Sequence, residues 1–167
     1  MKRFDQIIAA TAACIALVLL VQPAAAQTST TAAPTTAKAE QKGGERAHRL
    51  ILQVNTNDPA AMNLALNNAA NVDQYYSDKG EPVEIEIITF GPGLHMLRDD
   101  TSPVKARIKS MAESRPSVTF KACGNTQENM AKAEKKKIPL VSQATLVKSG
   151  VVRVMELQEQ GWSYVRP

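Results

Sequence analysis

Apolar positions along the 167-residue chain follow two regimes. Residues 7–21 form one apolar run relieved only by Thr11, whereas from residue 47 onward short apolar runs alternate with stretches of helical period. The first short run, Leu50-Ile51-Leu52-Gln53-Val54, stops at Asn55-Thr56-Asn57 and reads as a strand buried on both faces. Asp58 and Pro59 then supply a helix cap and a first-turn proline. Ala61, Leu64, Ala65, Ala69 and Val72 recur at helical spacing as far as the stop at Lys79-Gly80. Val83, Ile85 and Ile87 alternate with Glu84 and Glu86 before Ile88-Thr89-Phe90, which predicts a second strand whose first half has one wet face.

Gly91-Pro92-Gly93 breaks the chain, and residues 94–97 allow a single helical turn. Ser102-Pro103 opens a helix with Val104, Ile108 and Met111 as its buried stripe and Arg115-Pro116 as its end. Residues 118–123 predict a third strand ending in Cys123. Gly124-Asn125-Thr126 then reads as a turn into a helix over 127–137, with Asn125 and Glu128 at capping-box spacing. After Ile138-Pro139, residues 144–147 predict a fourth strand, Ser149 caps a helix through Gln160 that buries Val151, Val154 and Met155, and 162–166 form a terminal strand. Strand and helix alternate throughout, the pattern of an α/β domain whose parallel sheet is covered on both faces.

The first regime has a different meaning. Lys2 and Arg3, the apolar run, and Ala24-Ala25-Ala26 before Gln27 make the three-part pattern of a secretory signal peptide over 1–26, with cleavage near Ala26/Gln27 and periplasmic localisation expected. The run is too short for a bilayer core, so no stable membrane insertion is expected after cleavage. Cys14 is discarded with it. Residues 27–46, rich in Thr, Ala, Lys and Gly without a large apolar side chain, cannot offset their ordering entropy and predict a disordered linker. The folded domain is expected over 47–167.

Charge narrows the function classes. Removal of Lys2, Arg3 and Asp5 lowers 20 basic and 16 acidic side chains to 18 and 15, a mild excess that is no phosphate-binding signature, so no nucleic acid is expected as partner. The cluster Lys135-Lys136-Lys137 fits the C-terminal end of a helix. Cys123 alone survives maturation, which excludes an intrachain disulfide. There is no nucleophile elbow, zinc-protease helix, Cys-x-x-Cys pair, dinucleotide fingerprint or phosphate-loop lysine.

In a parallel sheet, sites gather where strand ends meet helix starts. Cys123 falls at such a place. There a helix dipole and amide groups favour thiolate, although a small buried hydrophobe is an equally common fate for a free cysteine. Gly91, Pro92 and Gly93 occupy the corresponding place after the second strand, where backbone approaches a ligand closely. His95 just beyond reads as pocket-lining, and with only His48 beside it no histidine metal site is expected. Asn63, Asn67 and Asn71 make an amide stripe on the first helix that reads as a solvated face or a subunit contact.

Four stretches carry a resemblance. They are Leu66-Asn67-Asn68-Ala69; Phe90-Gly91-Pro92-Gly93-Leu94; Phe120-Lys121-Ala122-Cys123-Gly124-Asn125-Thr126; and Ser149-Gly150-Val151-Val152 with Leu157-Gln158-Glu159-Gln160-Gly161-Trp162-Ser163-Tyr164. In this order they resemble the DsrE/DsrF-like sulfur-relay family, in its exported branch, over the whole predicted domain. The resemblance implies a three-layer α/β/α fold with a five-stranded parallel sheet, a small homo-oligomer, and sulfur carried as a persulfide on Cys123. Relay members exchange sulfur with donor or acceptor proteins in the cytoplasm, whereas this chain bears an export signal. Cys123 is the expected catalytic residue, Gly124, Asn125 and the helix amides are expected to hold the anion, and no metal or organic cofactor is required. The alternative is a non-catalytic, oligomeric ligand- or partner-binding module in which Cys123 is structural.

Overall fold

The computed structural model describes residues 47–167; the expected signal peptide and linker lie outside the described residues. Five strands alternate with helices: β1 His48–Val54, α1 Pro59–Asp78, β2 Val83–Thr89, a 3-10 helix Gly91–Leu97, α2 Lys105–Ser114, β3 Val118–Cys123, α3 Gly124–Glu134, β4 Ala144–Val147, α4 Gly150–Glu159 and β5 Ser163–Val165. All pairings are parallel, in the order β4-β3-β2-β1-β5. This is the α/β architecture expected, with helices on both sides of a five-stranded parallel sheet.

Strand alternation decides which helix covers which face. Leu50, Leu52, Val54, Ile85, Ile87, Val118, Phe120 and Ala122 point to one side. There they form the main core with Met62, Ala65, Leu66 and Ala69 of α1, Ile108 and Met111 of α2, and Leu94, Met96 and Leu97 of the 3-10 helix. Each large side chain fully buried there contributes about 1.5–3 kcal/mol. Met130 of α3 packs against the same core. On the opposite face Ile51 and Ile88 meet Val154 and Leu157 of α4, with Phe90 and Trp162 at the margin.

The second layer is thin because that face of the sheet is largely polar. Glu86, in β2, is only 7% exposed and is held by Arg153 of α4 through a two-point ion pair, Nε to Oε2 at 3.0 Å and Nη2 to Oε1 at 2.6 Å. Lys121 Nζ lies 4.0 Å from the same carboxylate. Val151 and Met155, expected inside, are 52% and 55% exposed. Facing a polar sheet surface, α4 buries only Gly150, Val154 and Leu157.

Local signals hold elsewhere. Asp58 Oδ1 accepts the Ala60 N–H at 2.9 Å and caps α1, a contact that stabilises by about 1 kcal/mol. The amide stripe of α1 has a third role besides those anticipated: Arg107 of α2 donates to Asn63 Oδ1 and, at 2.8 Å, to Asn67 Oδ1, bracing the two helices. Arg98, 1% exposed, chelates Asp100 and Glu134 and so ties the end of the 3-10 helix to the C-terminal turn of α3. No helix of the described residues is long and apolar enough to cross a membrane.

Candidate functional site

The connections that leave β3 and β4 go to opposite faces of the sheet. The helices that follow β1, β2 and β3 lie on the main-core side, whereas α4, leaving β4, packs on the other face and carries the chain to β5 beside β1. The C-terminal ends of β3 and β4 therefore border the crevice at which open α/β sheets bind ligands. Cys123 is the last residue of β3, and β4 ends beside it at Val147.

The helix after Cys123 starts earlier than its sequence suggests. Instead of a turn at 124–126 and a cap at Asn125, α3 begins at Gly124 and Cys123 itself is the N-cap. At that position a serine or aspartate oxygen ordinarily accepts an amide of the first turn. The Cys123 side chain makes no such capping hydrogen bond here, and sulfur is a far better acceptor as thiolate than as thiol. Gly124 lies where a Cβ would meet the Val147 carbonyl oxygen at 3.2 Å, so the start of α3 packs directly on β4. The Asn125 N–H donates to the Lys148 carbonyl at 3.1 Å and fastens the β4–α4 junction to α3.

A second helix start converges on the same sulfur. Gly150 opens α4, and a Cβ at that position would lie 2.9 Å from Phe90 Cδ1 and 3.2 Å from Cys123 Cβ. Only a residue without a side chain lets the α4 amide come this close. Burial pushes the Cys123 thiol up, but the Thr126 hydroxyl and the amides of Gly150, Thr126 and Asn125 outweigh it, leaving the thiol below its ordinary range. Since the Asn125 N–H is engaged by Lys148, Thr126 and Gly150 carry most of this effect. Two helix N-termini thus add their dipoles at one atom.

Thr126 links this thiol to the glycine loop. Its Oγ1 accepts the Gly91 N–H at 3.0 Å, and the same side chain is the leading group that lowers the Cys123 pKa against burial. Gly91 adopts φ +53°, a left-handed conformation suited to glycine. The rest of the loop serves packing: a Cβ on Gly93 would fall 2.1 Å from the Val54 carbonyl oxygen, and Pro92 is exposed. His95 turns elsewhere, its Nδ1 paired with Thr101 Oγ1 at 2.8 Å. Of the residues expected at the site, Cys123, Gly124, Asn125 and Gly91 come together. Pro92, Gly93 and His95 are not among the leading groups that shift the Cys123 thiol.

Two contributors escaped sequence reasoning, Thr126 as a donor to sulfur and Gly150 as the second amide. Both belonged to motifs already singled out, but nothing in the sequence shows that two residues 24 positions apart act on one sulfur. At the β4–α4 junction opens a cavity of about 560 Å³ lined by Asn125, Val147, Lys148, Ser149, Val152, Arg153 and Glu156; Cys123, 4% exposed, does not line it.

No protein-family model and no curated relative matches the chain. The domain is similar to a solved structure, that of a protein of unknown function, MTH1491, from Methanobacterium thermoautotrophicum. The two share 26% identity at a TM-score of 0.61, over 72% of this chain and 99% of that one. The likeness agrees with the three-layer α/β/α fold.

Proposed function

We propose that this protein carries sulfane sulfur as a persulfide on Cys123, as its resemblance to sulfur-relay proteins implies. The observation that supports the reading is the close packing of the α4 start on Cys123, where a Cβ on Gly150 would lie 3.2 Å from Cys123 Cβ, together with a thiol that Thr126 and nearby amides hold below its ordinary range. Such a cradle favours the nucleophilic thiolate before transfer and a persulfide anion after it, without a metal or cofactor. In the transfer, Cys123 thiolate attacks the outer sulfur of a donor R–S–SH. The new S–S bond forms as the donor S–S bond breaks, the electron pair leaves on R–S⁻, and the hydrogen stays on the sulfur that moves. Export to the periplasm is part of this reading and is supported by the residue 7–21 pattern. Self-association is supported by the exposed Val151 and Met155 on α4.

The test is intact mass and peptide mapping after incubation with inorganic tetrasulfide. Wild type is expected to gain one sulfur on the Cys123 peptide, and Cys123→Ser to fold but gain none. A second reading, a binding module with a structural cysteine, draws on the 4% exposure of the thiol. It is favoured if native Cys123 resists both alkylation and loading yet labels readily after denaturation.

A further inference from the structure

α4 carries more apolar surface than its own sheet takes. Of the eight large apolar side chains left exposed among the described residues, Val151, Val152 and Met155 all belong to this ten-residue helix. Its buried residues are Gly150, Val154 and Leu157. At about 100° per residue, Val152, Met155 and Glu159 stand on the side turned away from them. With Lys148, just ahead of the helix, they recur at intervals of four, three and four residues, the spacing of a seam that packs against another helix. Polar side chains ordinarily fill the solvent face of a surface helix.

The charges of this seam run against the helix dipole. An α-helix favours acidic groups at its start and basic groups at its end. α4 has no acidic residue in its first turn and no basic residue in its last; Lys148 stands ahead of the first turn, and Glu156 and Glu159 lie in the last. Glu156 acts on Arg153 of the same helix. Lys148 and Glu159 have no ion-pair partner among the described residues.

We propose that α4 pairs with α4 of a second copy of this chain, antiparallel about a two-fold axis, so that Val152 of each packs on Met155 of the other and Lys148 of each faces Glu159 of the other. The proposal rests on the self-association reading and names its surface. A two-fold turns the seam end for end, and only then does it complement itself: positions 148 and 159, like 152 and 155, lie equally far from the midpoint between 153 and 154. Glu159, unfavourable beside the carbonyl end of its own helix, then lies at the amide end of the other. A parallel pair would instead set Lys148 against Lys148 and Glu159 against Glu159. Lys148 and Val152 are also in the wall of the cavity at the β4–α4 junction, so each copy brings Glu159 and Met155 to the cavity of the other. Three half-exposed apolar side chains per copy make a small interface, so the association depends on concentration.

The experiment is sedimentation velocity of the purified protein over a concentration series, under reducing conditions so that Cys123 cannot cross-link copies. Wild type is expected to show a monomer–dimer equilibrium that weakens with added salt. Lys148→Glu and Glu159→Lys each set like charges opposite one another at two points of the interface and should raise the dissociation constant about tenfold. The two substitutions together reverse the pair and should return it close to wild type; failure to recover overturns the antiparallel register. Met155→Glu should leave a monomer whose circular dichroism is that of the wild type. If wild type dimerises and none of the single substitutions weakens it, the α4 seam is wrong and self-association through another surface stands. If wild type is monomeric at every concentration, a second copy is not the occupant: the self-association reading falls with this inference and the seam is left to a helix of another protein, while sulfur carriage is decided separately by the mass gain on Cys123.

Discussion

Replacing Gly150 with alanine tests whether close approach of α4 is what prepares the sulfur. The added Cβ would lie 2.9 Å from Phe90 Cδ1, 3.1 Å from Phe90 Cβ and 3.2 Å from Cys123 Cβ. The ring atom can swing away, but the two Cβ atoms are fixed to the ends of β2 and β3, so relief must come from moving the first turn of α4 outward by a few tenths of an ångström. Overpacking of this kind costs about 1–3 kcal/mol. With a urea m-value of about 1–3 kcal/mol/M, a mid-range cost of about 2 kcal/mol should lower the midpoint by roughly 1 M with the slope unchanged. The same displacement withdraws the Gly150 amide from sulfur, so the alkylation-rate profile of Cys123 should move to higher pH. Val152→Ala, at a half-exposed position on the same helix, provides the comparison and should change stability by about 0.5 kcal/mol or less. A Gly150→Ala protein with wild-type stability and an unshifted thiol profile would refute the argument that steric fit places this amide.

Three other perturbations address the same chemistry and its scaffold. Thr126→Val removes the hydroxyl between the Gly91 N–H and sulfur; it should cost about 1 kcal/mol and raise the pH at which thiolate absorbance appears, while Thr126→Ser should restore both. Because the fold lowers the Cys123 pKa, its thiolate contributes stability that is complete above the unfolded thiol value of about 8.5 and is lost as pH falls through the folded value. Urea midpoints of wild type minus Cys123→Ser, under reducing conditions, should therefore rise with pH across that window, and a flat difference would contradict the cradle. Arg98 holds the Asp100 carboxyl well below the usual carboxylate range, so this pair stabilises the fold above about pH 4 and is lost on further acidification. Arg98→Met should lower the urea midpoint at neutral pH, and the gap from wild type should close as the solution is acidified.

Legibility in the sequence followed how local each cause was. β1 was visible because an interior parallel strand must be apolar on both faces; of the two glutamates expected on a wet face of β2, Glu84 is exposed, whereas Glu86 is buried against Arg153 of α4, a partner distant in sequence. Asp58 and Pro59 marked the start of α1 within two residues, and Cys123 was read as the end of β3, where the structure has it. The start of α3 was missed because Gly124-Asn125-Thr126 has turn composition, while the packing of Gly124 on β4 draws these residues into the helix. Val151 and Met155 were placed inside because they share helical spacing with Val154. Which side of α4 is buried depends on what the sheet offers, and Glu86 and Lys121 offer charge. The roles of Thr126 and Gly150 arise from distances across three strands, which no window along the chain contains.

The position of β5 gives this site a history within the life of the molecule. β1 to β4 pair in chain order, each with the strand just before it, whereas β5 must return to β1, where Tyr164 Oη donates to Gln53 Oε1 across 111 residues of sequence. Contacts this distant carry the largest loop-closure entropy and are slow to form. α4 crosses the second face only as that return is made, so the Gly150 amide is the last piece set against Cys123. In a growing or partly opened chain the start of α4 is therefore absent from Cys123, and the close approach of Gly150 to it exists only once the C-terminus has docked.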